Sequence, residues 1–143
     1  TGAITVDRWP IKNASRKANG RLDIAGVLQT SSNVAMVQIM QRLNRQVYYR
    51  RLAELGLDQT SGIDLPGEVA GHLKSEEEFT RQAIETATAS FGQGFSLTPI
   101  KLIQLHAALA NGGHLVTPHL VSGLVDDYGQ KHWQPKYTSK AIF

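Results

Sequence analysis

Two stretches carry residue types that could do chemistry: Thr30-Ser31-Ser32-Asn33 and, further along, Ser90-Phe91-Gly92-Gln93-Gly94. A serine hydroxyl both donates and accepts a hydrogen bond, so it can pass a proton between an acid and a base. An asparagine two places on offers an amide oxygen and nitrogen for hydrogen bonding. Taken alone, S-x-N is short, and its ordinary reading is a cap on the helix that follows. Gln93 stands in a flexible triplet between two glycines.

Other chemistries lack their residues. The chain has no Cys, which excludes disulfides, thiolate zinc sites and Cys nucleophiles. His72, His106, His114, His119 and His132 form no H-E-x-x-H and no other metal-ligand spacing. His106 reads as a packed or rim residue, and His114 and His119 as surface. Gly92-Gln93-Gly94 lacks the third glycine of a dinucleotide site, and no cofactor is expected. Arg42, Arg45, Arg50 and Arg51 cluster around two predicted helices. A solvated face is their default reading, and a nucleic-acid surface the alternative.

The elements that must position these residues are mostly helical. The N-terminal Ile4-Thr5-Val6-Asp7 alternates like a short strand or arm and leads into a loop. Leu22, Ala25 and Leu28, with Ile24, are spaced for one face of a short helix. Met36, Met40 and Leu43, with Val37, make the stripe of a second, and Tyr48, Leu52 and Leu55 that of a third ending at Gly56. Residues 57–74 read as loop. Ser75-Glu76-Glu77-Glu78 has the capping-box form. Thr98-Pro99 opens a further helix with an N-cap and a proline at the first position, and Leu102, Leu105 and Leu109 are its expected buried stripe. Leu115 to Thr117 reads as extended, with a hairpin near 119–133. Ser139 to Phe143 reads as a helix start. The expected class is mainly α with minor β.

With 143 residues the chain can bury a core as one domain. Hydrophobic residues are 41% and charged residues 19%, ordinary globular usage that excludes wholesale disorder. The net charge of +3 is only a mild pointer to anionic partners. No apolar run reaches membrane-spanning length, and Thr1 to Asp7 has no signal-peptide pattern.

Together the motifs resemble the transpeptidase domain of class B penicillin-binding proteins, most of all its division-type branch. The resemblance rests on Leu28-Gln29-Thr30-Ser31-Ser32-Asn33-Val34, on Ser90-Phe91-Gly92-Gln93-Gly94-Phe95-Ser96-Leu97-Thr98-Pro99 and on Ala110-Asn111-Gly112-Gly113, with Val116-Thr117-Pro118-His119-Leu120-Val121 after them. It implies the helical portion of a penicillin-binding/β-lactamase-like domain. It also implies a serine D,D-transpeptidase that cross-links peptidoglycan stem peptides through an acyl-enzyme and is trapped by β-lactams. The family uses S-x-x-K, S-x-N and K-[ST]-G, and no Ser or Lys of this chain begins the first or last. The chain is therefore expected to be an interior part of that domain, spanning 1–143 and inactive alone.

On this resemblance Ser31 relays a proton, Asn33 holds the catalytic Lys and the substrate amide, and Gln93 lines the cleft. Ser32 receives no role. The implied partners are stem peptide, β-lactams and division proteins, with no nucleic acid, and the implied parent is anchored in the bacterial cytoplasmic membrane with its catalytic domain outside. A freestanding helical interaction or DNA-binding module using Arg42 to Arg51 is the alternative.

Overall fold

The computed structural model describes residues 2–142. Among them six helices and six short strands follow one another, in two compact units, Thr1–Leu52 with Leu73–Phe95 and Ala53–His72 with Ser96–Phe143. Helix makes up 35% and strand 15%, so "mainly α" holds only loosely.

The first unit opens with β1 (Ala3–Val6) and β2 (Trp9–Lys12), an antiparallel hairpin pairing Ile4 with Ile11 and Val6 with Trp9. The expected loop after residue 7 is thus a second strand, reached through a two-residue turn. Asp7 takes φ 52° in that turn, a left-handed conformation that Asp tolerates better than most residues. Helices α1 (Ile24–Gln29), α2 (Asn33–Met40) and α3 (Arg45–Glu54) follow. After them come α4 (Glu76–Arg81) and α5 (Ala83–Ala89).

Val6 and Ile11 of the hairpin pack with Val37 and Met40 of α2 and Ala87 of α5. Burying a side chain such as Val37 contributes roughly 1.5–3 kcal/mol. This cluster packs α2 and α5 against the hairpin. Phe79 of α4 is fully buried against the rings of Tyr48 and Tyr49, at centroid distances of 6.0 and 5.4 Å, and burial pushes the Tyr48 phenol up to about 12.

Two stripes of the first unit differ from expectation. In α1 the buried residue is Val27, while Ile24 and Leu28 are exposed. In α2 the buried face is Val34, Val37 and Met40, and Leu43 lies exposed beyond the helix end. The capping box is as expected: Ser75 Oγ accepts the Glu78 N–H, and Glu78 accepts the Ser75 N–H in return.

In the second unit Thr98 caps α6 (Pro99–Ala110) and Pro99 stands in its first turn. Strand β3 (His114–Val116) pairs antiparallel with β6 (Ser139–Ala141), and β4 (Leu124–Val125) with β5 (Lys131–Trp133). The expected C-terminal hairpin is present but confined to β4 and β5. The expected helix start at Ser139 is instead strand β6, because β3 supplies its backbone partners; Phe143 lies outside the described residues.

The buried face of α6 is Lys101, Gln104 and Ala108, whereas Leu102 and Leu109 are exposed. This corrects the expected leucine stripe, and the reason is polar. The loop before residue 72 brings carbonyls against the helix that need donors. Lys101 Nζ donates to Thr60 O at 3.0 Å, and Gln104 Nε2 donates to Ser61 O at 3.2 Å and Val116 O at 2.8 Å. Burial holds the Lys101 ammonium below its ordinary pKa.

Candidate active site

Both sequence-predicted motifs sit on the turn that closes a helix. After α1, Ser31 N–H donates to Leu28 O at 3.1 Å and Ser32 N–H donates to Val27 O at 3.2 Å. This is the Schellman pattern, which places Ser31 at the position that must turn left-handed. Its φ is 48°. After α5, Gly92 N–H donates to Ala89 O at 3.1 Å and Gln93 N–H to Thr88 O at 3.0 Å, with Gly92 at φ 86°. After α6, Gly113 N–H donates to Ala108 O at 2.8 Å, with Gly112 at φ 80°. Glycine occupies the left-handed position in two of these turns, and serine occupies it in the S-x-N turn.

Ser31 is exposed, and its hydroxyl has no hydrogen-bond partner among the described residues. The cap of α2 is its neighbour. Ser32, 3% exposed, accepts the Ala35 N–H on Oγ at 3.2 Å and donates its own proton to Asn13 Oδ1 at 3.2 Å. Asn13 Oδ1 also accepts the Val34 N–H at 3.2 Å, and its Nδ2 donates to Lys17 O at 3.2 Å. The residue given no role in the sequence reading therefore holds the helix start. Asn13 had no sequence signal beyond its place in a turn, since its burial depends on a helix that arrives later in the chain.

Asn33 is the first residue of α2, and its Nδ2 donates to Lys12 O at 3.0 Å, tying the motif to the end of β2. Asn33 and Gln93 line one cleft of about 310 Å³, walled by Trp9, Ile11, Thr88 and Phe91. The structure thus brings Asn33 and Gln93 together, while Ser31 is not among the residues lining that cleft. Gly92 and Gly94 flank Gln93 at φ 86° and 83°, so the backbone folds back sharply on either side of an exposed side chain.

No group of three or more His, Asp or Glu that could hold a metal ion occurs among the described residues. His106 Nδ1 lies 2.9 Å from Leu102 O within its own helix turn, and His132 pairs with Asp126 at 2.8 Å. His119 meets Tyr137 edge-on at 5.0 Å.

The family model for the penicillin binding protein transpeptidase domain matches residues 1–143. A peptidoglycan D,D-transpeptidase FtsI homologue of Mesostigma viride is 43% identical over 130 residues, 90% of this chain and 22% of the relative. Stage V sporulation protein D of Bacillus subtilis is 33% identical, covering 91% of this chain and 20% of the relative. The chain thus spans about a fifth of the length of these relatives. Among solved structures, penicillin binding protein 3 of Mycobacterium tuberculosis in complex with aztreonam superposes with a TM-score of 0.87 at 28% identity, over 99% of this chain and 31% of that one. The same protein has also been solved with ampicillin. The chain belongs to the penicillin-binding protein transpeptidase domain family, among the class B proteins.

Proposed function

We propose that this chain is the S-x-N portion of a peptidoglycan D,D-transpeptidase that works through a serine acyl-enzyme. The nucleophilic serine and its lysine belong to an S-x-x-K segment, which this sequence does not contain. In the full-length protein that serine attacks the carbonyl of the penultimate D-Ala of a stem peptide, and the lysine takes its proton. Ser31 accepts a proton from the lysine and gives its own to the departing D-Ala amine, so the acyl–serine bond forms as the peptide bond breaks. Asn33 holds the lysine and the substrate amide through its Oδ1 and Nδ2, and Gln93 lines the cleft beside it. An amine on a neighbouring stem peptide then displaces the serine and completes the cross-link.

The observation that carries this reading is the placement of Ser31. Glycine would relieve the left-handed turn, yet a residue with a rotatable hydroxyl stands there, and Ser32 already performs the capping. Backbone strain of this kind, of order 1–3 kcal/mol, is characteristic of functional positions. The names of the relatives support the substrate class, and the aztreonam and ampicillin complexes of the Mycobacterium tuberculosis protein support β-lactams as ligands. We further infer that the parent protein is anchored in the cytoplasmic membrane, with this domain outside and division proteins as partners. Among the described residues no helix is long and apolar enough to cross a membrane.

The test is mass spectrometry of the 143-residue chain and of the full-length protein after incubation with benzylpenicillin. The chain alone should gain no adduct, because Ser31 has no Lys at the activating spacing, and the full-length protein should be acylated at its S-x-x-K serine. A stoichiometric adduct on Ser31 would overturn the assignment.

A further inference from the structure

A second cleft, of about 490 Å³, lies in the first unit and is lined by Asp7, Arg8, Trp9, Arg45, Arg81 and Gln82. Three guanidiniums and one carboxylate give it a net positive lining. None of the three arginines forms an ion pair among the described residues. The one acid is occupied otherwise: Asp7 Oδ2 accepts the Ile84 N–H at 3.1 Å, at the start of α5. Glu78, on α4, feels Arg81 at longer range without an ion pair.

Two of the arginines are held in place by groups other than anions. Arg45 Nη1 donates to Thr80 O at 3.3 Å, which leaves its other donors uncommitted. Arg8 lies over the Trp9 ring, 5.8 Å from its centroid, a cation–π arrangement that orients the guanidinium without neutralising it. Uncompensated arginines around one concavity are suited to oxyanions, because each guanidinium presents a fork of donors matching carboxylate or phosphate. Trp9 is 52% exposed and offers an apolar face beside those donors. It also walls the cleft that holds Asn33 and Gln93, so the two clefts adjoin through one indole ring.

We propose that the Arg8–Arg45–Arg81 cleft binds an oxyanion group of a glycan-linked ligand, with Trp9 carrying a sugar ring between this cleft and the Asn33 cleft. The glycan rests on the transpeptidase reading, whereas the oxyanion rests on the arginines alone. The anion is a carboxylate of a muramyl peptide or a phosphate of its carrier, and the guanidiniums recognise the shared oxyanion chemistry.

The experiment is calorimetric titration of the full-length protein with three probes: a muramyl tripeptide, inorganic pyrophosphate and a neutral N-acetylglucosamine oligomer. The wild type should bind the muramyl tripeptide or pyrophosphate, the stronger of the two identifying the source, and bind the neutral oligomer at least about tenfold more weakly, a difference of about 1.4 kcal/mol. The Arg8→Gln/Arg81→Gln variant should lose at least about tenfold in affinity for the anionic probe, the wild-type affinity should fall with added salt, and Arg8→Lys should retain part of it. Penicillin acylation of the double variant should match wild type. Equal anion affinity in wild type and double variant, or no anion binding by the wild type, would overturn the proposal. Loss of penicillin acylation by the wild type would instead overturn the transpeptidase reading, with the anion titration still deciding the arginine site.

Discussion

Ser32 Oγ donates to Asn13 Oδ1 across 3.2 Å, and both residues are almost fully buried, at 3% and 5% exposure. The segment after β2 and the start of α2 are thereby one hydrogen-bonded unit. Asn33, the next residue, inherits its position from that bond and from its own to Lys12 O.

Ser32→Ala should therefore lower stability by about 0.5–2 kcal/mol, the ordinary cost of a lost N-cap. Asn13→Ala should cost about 1–3 kcal/mol, because it leaves the buried Val34 N–H without its acceptor. Urea denaturation of the variants checks both, and a neutral Asn13→Ala would show that the brace is not structural.

Ser31→Gly separates catalysis from folding. Glycine suits a φ of 48°, so folded stability should be unchanged or higher by up to about 1 kcal/mol. In the full-length protein the same change should slow acylation by a fluorescent penicillin by about 10²–10⁴-fold, the range for a positioned acid–base group. A rate within a few-fold of wild type would remove Ser31 from the mechanism.

Two glycines should respond to alanine for different reasons. A Cβ at Gly92 meets nothing within 4 Å, so Gly92→Ala should cost only the left-handed backbone penalty, about 1–2 kcal/mol. A Cβ at Gly71 would strike the carbonyl oxygens of Ser96 and Leu57, where His72 and Ser96 form their bridge. Gly71→Ala should be the more damaging of the two in thermal melts, and the reverse order would refute the close approach.

Acid should loosen the second unit through Glu68. Its carboxylate accepts the Ser61 Oγ–H and the Ser61 and Gly62 N–H groups. These bonds, the Ser61 hydroxyl first, hold it below its ordinary value of 4.5. A depressed carboxylate contributes stability above its unfolded pKa and loses it as pH falls through the folded one. The urea midpoint should thus fall further in wild type than in Glu68→Gln between about pH 6 and about pH 3; equal falls would exclude the linkage.

Local chemistry was legible without the fold. The capping box at Ser75, the Thr98-Pro99 helix start, the stop at Gly56 and the glycines around Gln93 each depend on residues a few places apart, so sequence order alone reveals them. The S-x-N and G-Q-G motifs were recognisable for the same reason, as was the family. Tertiary packing decided the rest. Periodicity finds a face of α6 but not what faces it, and the carbonyls of Thr60 and Ser61 drew Lys101 and Gln104 inward in place of the leucines. Ser139 to Ala141 became a strand because β3 offered it a backbone ladder. In the same way, Ser32 and Asn13 acquired their roles through a bond across nineteen residues: a buried polar group must find a partner, and only the folded chain determines which one is within reach.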